Sequence, residues 1–388
     1  MTKFKTTLLA MAVSAAAFSV QAAQVSLYGS VSTGLLYSNS SSLSGGVDAK
    51  GEPVGNQESK DSFTMESGFW GDSIWGITGE EDLGNGWTVG FTLENEFGSD
   101  TGEMASEGTI FDSQAYLRIG NDKVNFAFGN IGGLASAGGD FDLICGFDPM
   151  EAYVGVAGLG AFASKDYASG NMAVVEVMPM EGFKVSLMGN TGDDDSSKAK
   201  WSDRDHYYGL GVSYENGPLA LAAIAEMRKY DRPAGWSDND DSWIFTVAAA
   251  YDFEVIRPSF VYQHASKTRE FGGEFGANYP SESSGAYNFD SFMLGATAPL
   301  GQGTLRASVQ YVKGENDAVS DEEGSATILG LAYTYDMSKR TTLYGAAFYS
   351  VGGDGLDKDL GANDKEFGLM GRADYNSVGF GVGLVHTF

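Results

Sequence analysis

The sequence predicts an all-β protein, a transmembrane antiparallel β-barrel of about sixteen strands. Three observations carry that reading. From Gln24 onward, segments of about ten residues place apolar side chains at every second position. The stretches joining these segments are alternately short and long. The last segment, "GFGVGLVHTF", keeps the alternation to the final Phe388 with no polar tail. A period of two describes a strand whose faces meet different surroundings. A helix needs apolar spacings of three and four, and these segments lack them.

In chain order, "MTKFKTTLLAMAVSAAAFSVQA" comes first. It carries Lys3 and Lys5, an uncharged run from Thr6 to Val20, and a small-residue ending at Val20-Gln21-Ala22. The run is too short to span a bilayer as a helix, so residues 1–22 are expected to be a cleaved secretory signal peptide. Residues 23–388 are then the barrel domain. "QVSLYGSVSTGLLY" puts Val25, Leu27, Val31, Leu35 and Tyr37 on one face. "WTVGFTLENEF" sets Trp87, Val89, Phe91, Leu93 and Phe97 against Thr88, Thr92, Glu94 and Glu96. "WIFTVAAAY" and "TLRASVQYV" repeat the pattern, and the last segment opposes Val378, Phe380, Val382, Leu384 and Phe388 to Gly379, Gly381, Gly383 and Thr387.

The short connections include "LGNG", "NDK", "ENGP", "PLGQG" and "DMSKR". The long ones run over 38–62, 98–109, 130–164, 191–205, 229–241, 266–288, 314–324 and 351–375, and they hold most of the acid-rich runs. Short turns at one rim and long loops at the other are the pattern of an outer-membrane barrel. In lipid an unpaired backbone amide or carbonyl is costly, so a strand-built span must close on itself. The terminal strand is therefore expected to pair with the first. Aromatic residues near strand ends, such as Trp87 with Phe97 and Trp243 with Tyr251, suit the interfacial girdles.

Composition narrows the partners. The chain has 52 acidic and 24 basic residues, a formal charge of −28, and the signal peptide would remove two of its lysines. Such a surface repels nucleic acid and favours cations. Hydrophobic residues at 43% and aromatic residues at 13% argue against acidic disorder. The single cysteine, Cys145, excludes an internal disulfide, and no histidine nearby in sequence marks it as a nucleophile. His206, His264 and His386 are too scattered to suggest a metal site, and no cofactor is expected. "DDD" at Asp193–Asp195 and "DNDD" at Asp238–Asp241 offer carboxylates for calcium but lack the full EF-hand spacing.

Several stretches look familiar together. "QVSLYGSVSTGLLYS", "SIWGITGEEDLGNGWTVGFTLENEFGSDTG", "FDSQAYLRIG", "DMSKRTTLYG" and the terminal "GLVHTF" resemble the general porins of Gram-negative bacteria, betaproteobacterial type. The resemblance implies a homotrimer of sixteen-stranded barrels in outer-membrane lipid and lipopolysaccharide. Each barrel would be a diffusion pore for small hydrophilic solutes and ions, with its third long loop folded inward. It also implies that the barrel assembly machinery reads Phe388.

A pore works by width and field at its narrowest point. The third long connection, 130–164, is rich in glycine and less polar than the other long loops, as a segment packed inside a barrel should be. It carries Asp140, Asp142, Asp148 and Glu151, and its "GFDPM" resembles the family's constriction loop. Strand parity turns Glu94, Glu96, Arg118, Glu176, Glu226, Arg228, Arg257 and Arg306 toward the lumen, because a basic side chain facing lipid at mid-depth costs about 2–4 kcal/mol. The resemblance implies basic wall residues set against an acidic loop, yet Ile74, Thr78 and Asn130 stand where the family often has arginine. The expectation is a cation-preferring pore. A substrate-selective channel would show an aromatic ladder or a dense arginine track, and neither is evident. An enzymatic barrel needs a nucleophile, histidine and orienting group together, and a soluble acidic β-sandwich binder would be extracted without detergent.

Overall fold

The computed structural model describes residues 24–43, 57–163, 168–192, 201, 204–230, 241–268, 286–316, 323–352 and 376–388. The expected signal peptide, the Asp193–Asp195 run and all of the second acid run except Asp241 lie outside the described residues.

The strands are β1 (Gln24–Leu43), β2 (Gln57–Ser67), β3 (Ile74–Gly84), β4 (Trp87–Glu96), β5 (Gln114–Gly120) and β6 (Val124–Gly132). Then come β7 (Ala168–Met180), β8 (Phe183–Asn190), β9 (His206–Asn216), β10 (Leu219–Lys229), β11 (Ser242–Tyr251) and β12 (Arg257–Thr268). Last are β13 (Tyr287–Leu300), β14 (Gly303–Asn316), β15 (Glu323–Ser338), β16 (Thr341–Gly352) and β17 (Asn376–Thr387). All pair antiparallel in a single sheet, and β1 closes it by pairing with β17 from Ser30 opposite Thr387 to Ser41 opposite Asn376. The lower half of β1 pairs with β3 and its upper half with β2. These two strands therefore share one wall position, and the barrel has 16 positions.

Closure matches the alternation. On β17, Val378, Phe380, Val382 and Leu384 are exposed on the outer wall, while Gly379 and Gly381 are buried on the inner one. Phe388 continues the seam beyond the ladder: its N–H donates to the Gly29 carbonyl at 3.0 Å. The five short turns named above fall between paired strands, and two more, at Glu181–Gly182 and Asp252–Ile256, complete the short-turn rim.

The inner wall is less polar than parity alone suggests. Ile224, Ile244, Val261, Met293, Val312 and Ile328 point inward and are buried. They form one core with Leu134, Ile144, Met150, Leu159 and Phe162 of the segment between β6 and β7. Polar wall groups bind the same segment. Gln310 accepts from Ala161 N–H at 3.2 Å, Gln263 accepts from Ala163 N–H at 2.7 Å, and Ser291 donates to the Ala161 carbonyl at 2.5 Å. The segment's backbone is thus satisfied by inward-facing side chains of β12, β13 and β14, as a loop removed from bulk water requires.

A second excursion interrupts the wall. Between β2 and β3, Gly68–Ser73 leaves the ladder and carries Phe69 and Trp70 into the core. Gly68 and Gly71, at φ of 81° and 79°, supply the left-handed conformation that this departure and return need.

Candidate functional site

Four acids of the third loop were expected to line a constriction, and their placement divides them. Asp142 accepts from the N–H groups of Ala137 at 3.0 Å, Ile144 at 3.1 Å and Cys145 at 2.8 Å. Asp148 is buried and accepts from Met150 at 3.0 Å and Ala152 at 2.9 Å. Both carboxylates fold the loop on itself. Burial pushes the Asp142 carboxyl up to about 6, although the N–H donors oppose it. Asp140 and Glu151 remain more accessible. Asp140 accepts from the Tyr116 hydroxyl, and its own N–H donates to Gln114 Oε1 at 3.1 Å. Glu151 accepts from Arg306 at 2.7 Å.

The wall residues are distributed over β4, β5, β7, β10, β12 and β14. Glu94 is buried and accepts from Tyr28 at 2.8 Å, Ser113 at 2.5 Å and, weakly, Gln114 at 3.5 Å; all three are neutral donors. Glu96, two residues on, shares its face, and its N–H donates to Asp112. Glu176 is paired with Lys184 at 2.6 Å and accepts from Asn125 at 3.1 Å. Glu226 is fully buried and accepts from the Tyr207 hydroxyl at 2.7 Å, and that hydroxyl also accepts from Leu134 N–H at 3.0 Å. Glu226 therefore anchors the loop, and Arg228 lies on the same face of β10.

Arg118, Arg257 and Arg306, the three arginines that could supply a basic side, stand on β5, β12 and β14, each beside a carboxylate. Arg118 is paired with Glu80 at 2.6 Å, across Gly90 of the intervening strand. Arg257 lies at the short-turn rim beside Asp252 and Glu215. Arg306 donates to Glu151 and to the Pro149 carbonyl at 3.0 Å, and stacks on Trp70 with its guanidinium carbon 4.9 Å from the ring centre. Ile74, Thr78 and Asn130 add no charge; Thr78 donates to the Phe91 carbonyl and Asn130 to the Asp112 carbonyl.

Sequence reasoning missed several members of this site. Glu80 and Lys184 stand inward in short strands and were readable by parity. Phe69, Trp70 and Asp72 were passed over although Gly68, Gly71, Asp72 and Ser73 of "GFWGDS" are turn formers; what the stretch does not announce is that its aromatic pair turns into the core. Among the described residues no group of three or more His, Cys, Asp or Glu side chains is arranged to hold a metal ion.

Similarities to known proteins follow the same lines. A sequence model described as Gram-negative porin matches residues 6–355. An outer membrane porin protein of Bordetella pertussis is 27% identical over 99% of this chain and 100% of its own length. Among solved structures, an anion-selective porin from Comamonas acidovorans superposes with a TM-score of 0.65 at 23% identity, over 95% of this chain and 100% of that one. The trimer form of OmpT from Vibrio cholerae gives 0.59 at 15% identity, over 95% and 100%.

Proposed function

Since the chain belongs to the Gram-negative porin family, whose members are outer-membrane channels rather than enzymes, we propose that it is a general diffusion porin with a preference for cations. The loop between β6 and β7 narrows the passage, small hydrophilic solutes and ions cross it, and the selectivity is electrostatic. One observation carries the cation reading. Glu94 and Asp140 are held by neutral donors, while Arg118 and Arg306 each have a carboxylate partner. Of these four groups the two without a basic partner are acids, and the formal charge of −28 acts in the same direction. The Comamonas acidovorans porin is named for the opposite preference; the reading for this chain rests on its own side chains.

Reversal potentials across planar bilayers in a KCl gradient test the sign, and a clear anion preference would overturn it. The preference should weaken with added salt, because the Debye length falls to about 3 Å at 1 M. Liposome swelling with solutes of graded size separates a general pore, whose rates track size, from a substrate-selective one. The reading extends to a homotrimer, to export by a cleaved signal peptide, to the assembly machinery acting on Phe388, and to lipopolysaccharide and outer-membrane lipid as surroundings.

A further inference from the structure

The excursion at Gly68–Ser73 contributes groups that the loop alone does not explain. Its Phe69 carbonyl accepts from the N–H of Val154 at 3.0 Å. Val154 is a β-branched residue held at φ 69°, a conformation that persists only where its surroundings impose it. Asp72 accepts from the Tyr153 hydroxyl at 2.9 Å, and the Trp70 and Tyr153 rings lie 6.4 Å apart. Trp70 also covers the Arg306 guanidinium on one face while Glu151 and Pro149 hold its edge. Only 11% of the Arg306 side chain is exposed, against 40% for Glu151. On its wall side the excursion is fixed to β1: Ser32 donates to the Trp70 carbonyl at 2.7 Å, and Ser73 Oγ accepts from Ser32 N–H at 3.0 Å.

We propose that Gly68–Ser73 is a clamp whose Trp70 positions Arg306 against the loop, withholding that arginine's charge from the ions that pass. A guanidinium covered on one face by an aromatic ring and held at its edge by a carboxylate has little freedom to swing into water. Trp70 is a positioning residue here: it acts on selectivity through Arg306 and is itself buried. The inference rests on the proposed pore reading. The two are distinguishable, because the wild-type reversal potential tests the cation preference and only the difference between variants tests the clamp.

The experiment compares permeability ratios for potassium over chloride in planar bilayers. Trp70→Ala removes the aromatic cover. Arg306→Lys keeps the charge but loses the planar fork that reaches Glu151 and the Pro149 carbonyl together, so it loosens the cation without altering Trp70. Both should lower the ratio by about two-fold or more, the effect of one freed charge several ångströms from the ion path. Trp70→Phe keeps a ring face and should leave the ratio near wild type. Arg306→Gln in the Trp70→Ala background should restore it. If Trp70→Ala yields no folded barrel, Trp70→Leu, which fills the space without a ring face, takes its place. The clamp is overturned if the folded variants change conductance but leave the permeability ratio where it was, or if Arg306→Gln fails to reverse the shift.

Discussion

Gly381 faces the interior of the last strand, and the ring of Phe69 rests against it; Tyr344 covers Gly383 and Gly34 in the same way, and Phe348 covers Gly379. A Cβ at any of these glycines would overlap an aromatic ring or a facing carbonyl. Gly381→Val is therefore expected to destabilise the barrel by about 1–3 kcal/mol through overpacking. The measurement is the temperature at which unboiled protein acquires boiled mobility on a gel, and an unchanged temperature would contradict the packing argument. The alternation of "GFGVGLVHTF" revealed which residues face inward. It did not reveal why they are glycines, since the rings that need the space come from β16 and from the excursion after β2. Asp148→Ala belongs to the same scale: it leaves the N–H groups of Met150 and Ala152 without an acceptor, at a cost of about 1–3 kcal/mol.

The third loop behaves as an element that shares one core with the wall. Its low polarity was legible in the sequence, and so was its position in the order of connections. The wall that receives it was less so: parity marks Glu226 as inward, but the other inner residues of "LALAAIAEM" are as apolar as the outer ones, so nothing announces that a loop packs there. The acids were legible as residues but not as roles: Asp142 and Asp148 turn toward backbone N–H groups that become available only once the loop is folded. A pH dependence follows. The Asp142 carboxyl is raised above its usual range, to about 6, so the folded chain binds more protons there than the unfolded chain does. Its contribution is fully present below the unfolded value and is lost as pH rises through about 6. The thermal transition measured in detergent should accordingly move down between about pH 4 and pH 6, and Asp142→Asn should flatten that slope. An equal slope in both proteins would remove Asp142 as its origin.

At the scale of the whole molecule the barrel was the most legible feature, because period-two alternation and the short and long connections are repeated along the chain and each repeat supports the others. The divided wall position was invisible for the opposite reason: it occurs once. Heat-modifiability without boiling should give a band larger than the monomer if the proposed homotrimer forms, and a monomer-sized band in mild detergent would count against it. Phe69 departs from the second wall position yet rests on the last strand, which meets the first only at the final ladder. Furnishing the interior and shutting the cylinder are consequently a single cooperative act. A chain deprived of its closing strand would lose two ladders of backbone bonds and also the floor on which three aromatic rings lie, so late-arriving sequence governs whether the early excursion after β2 finds its seat.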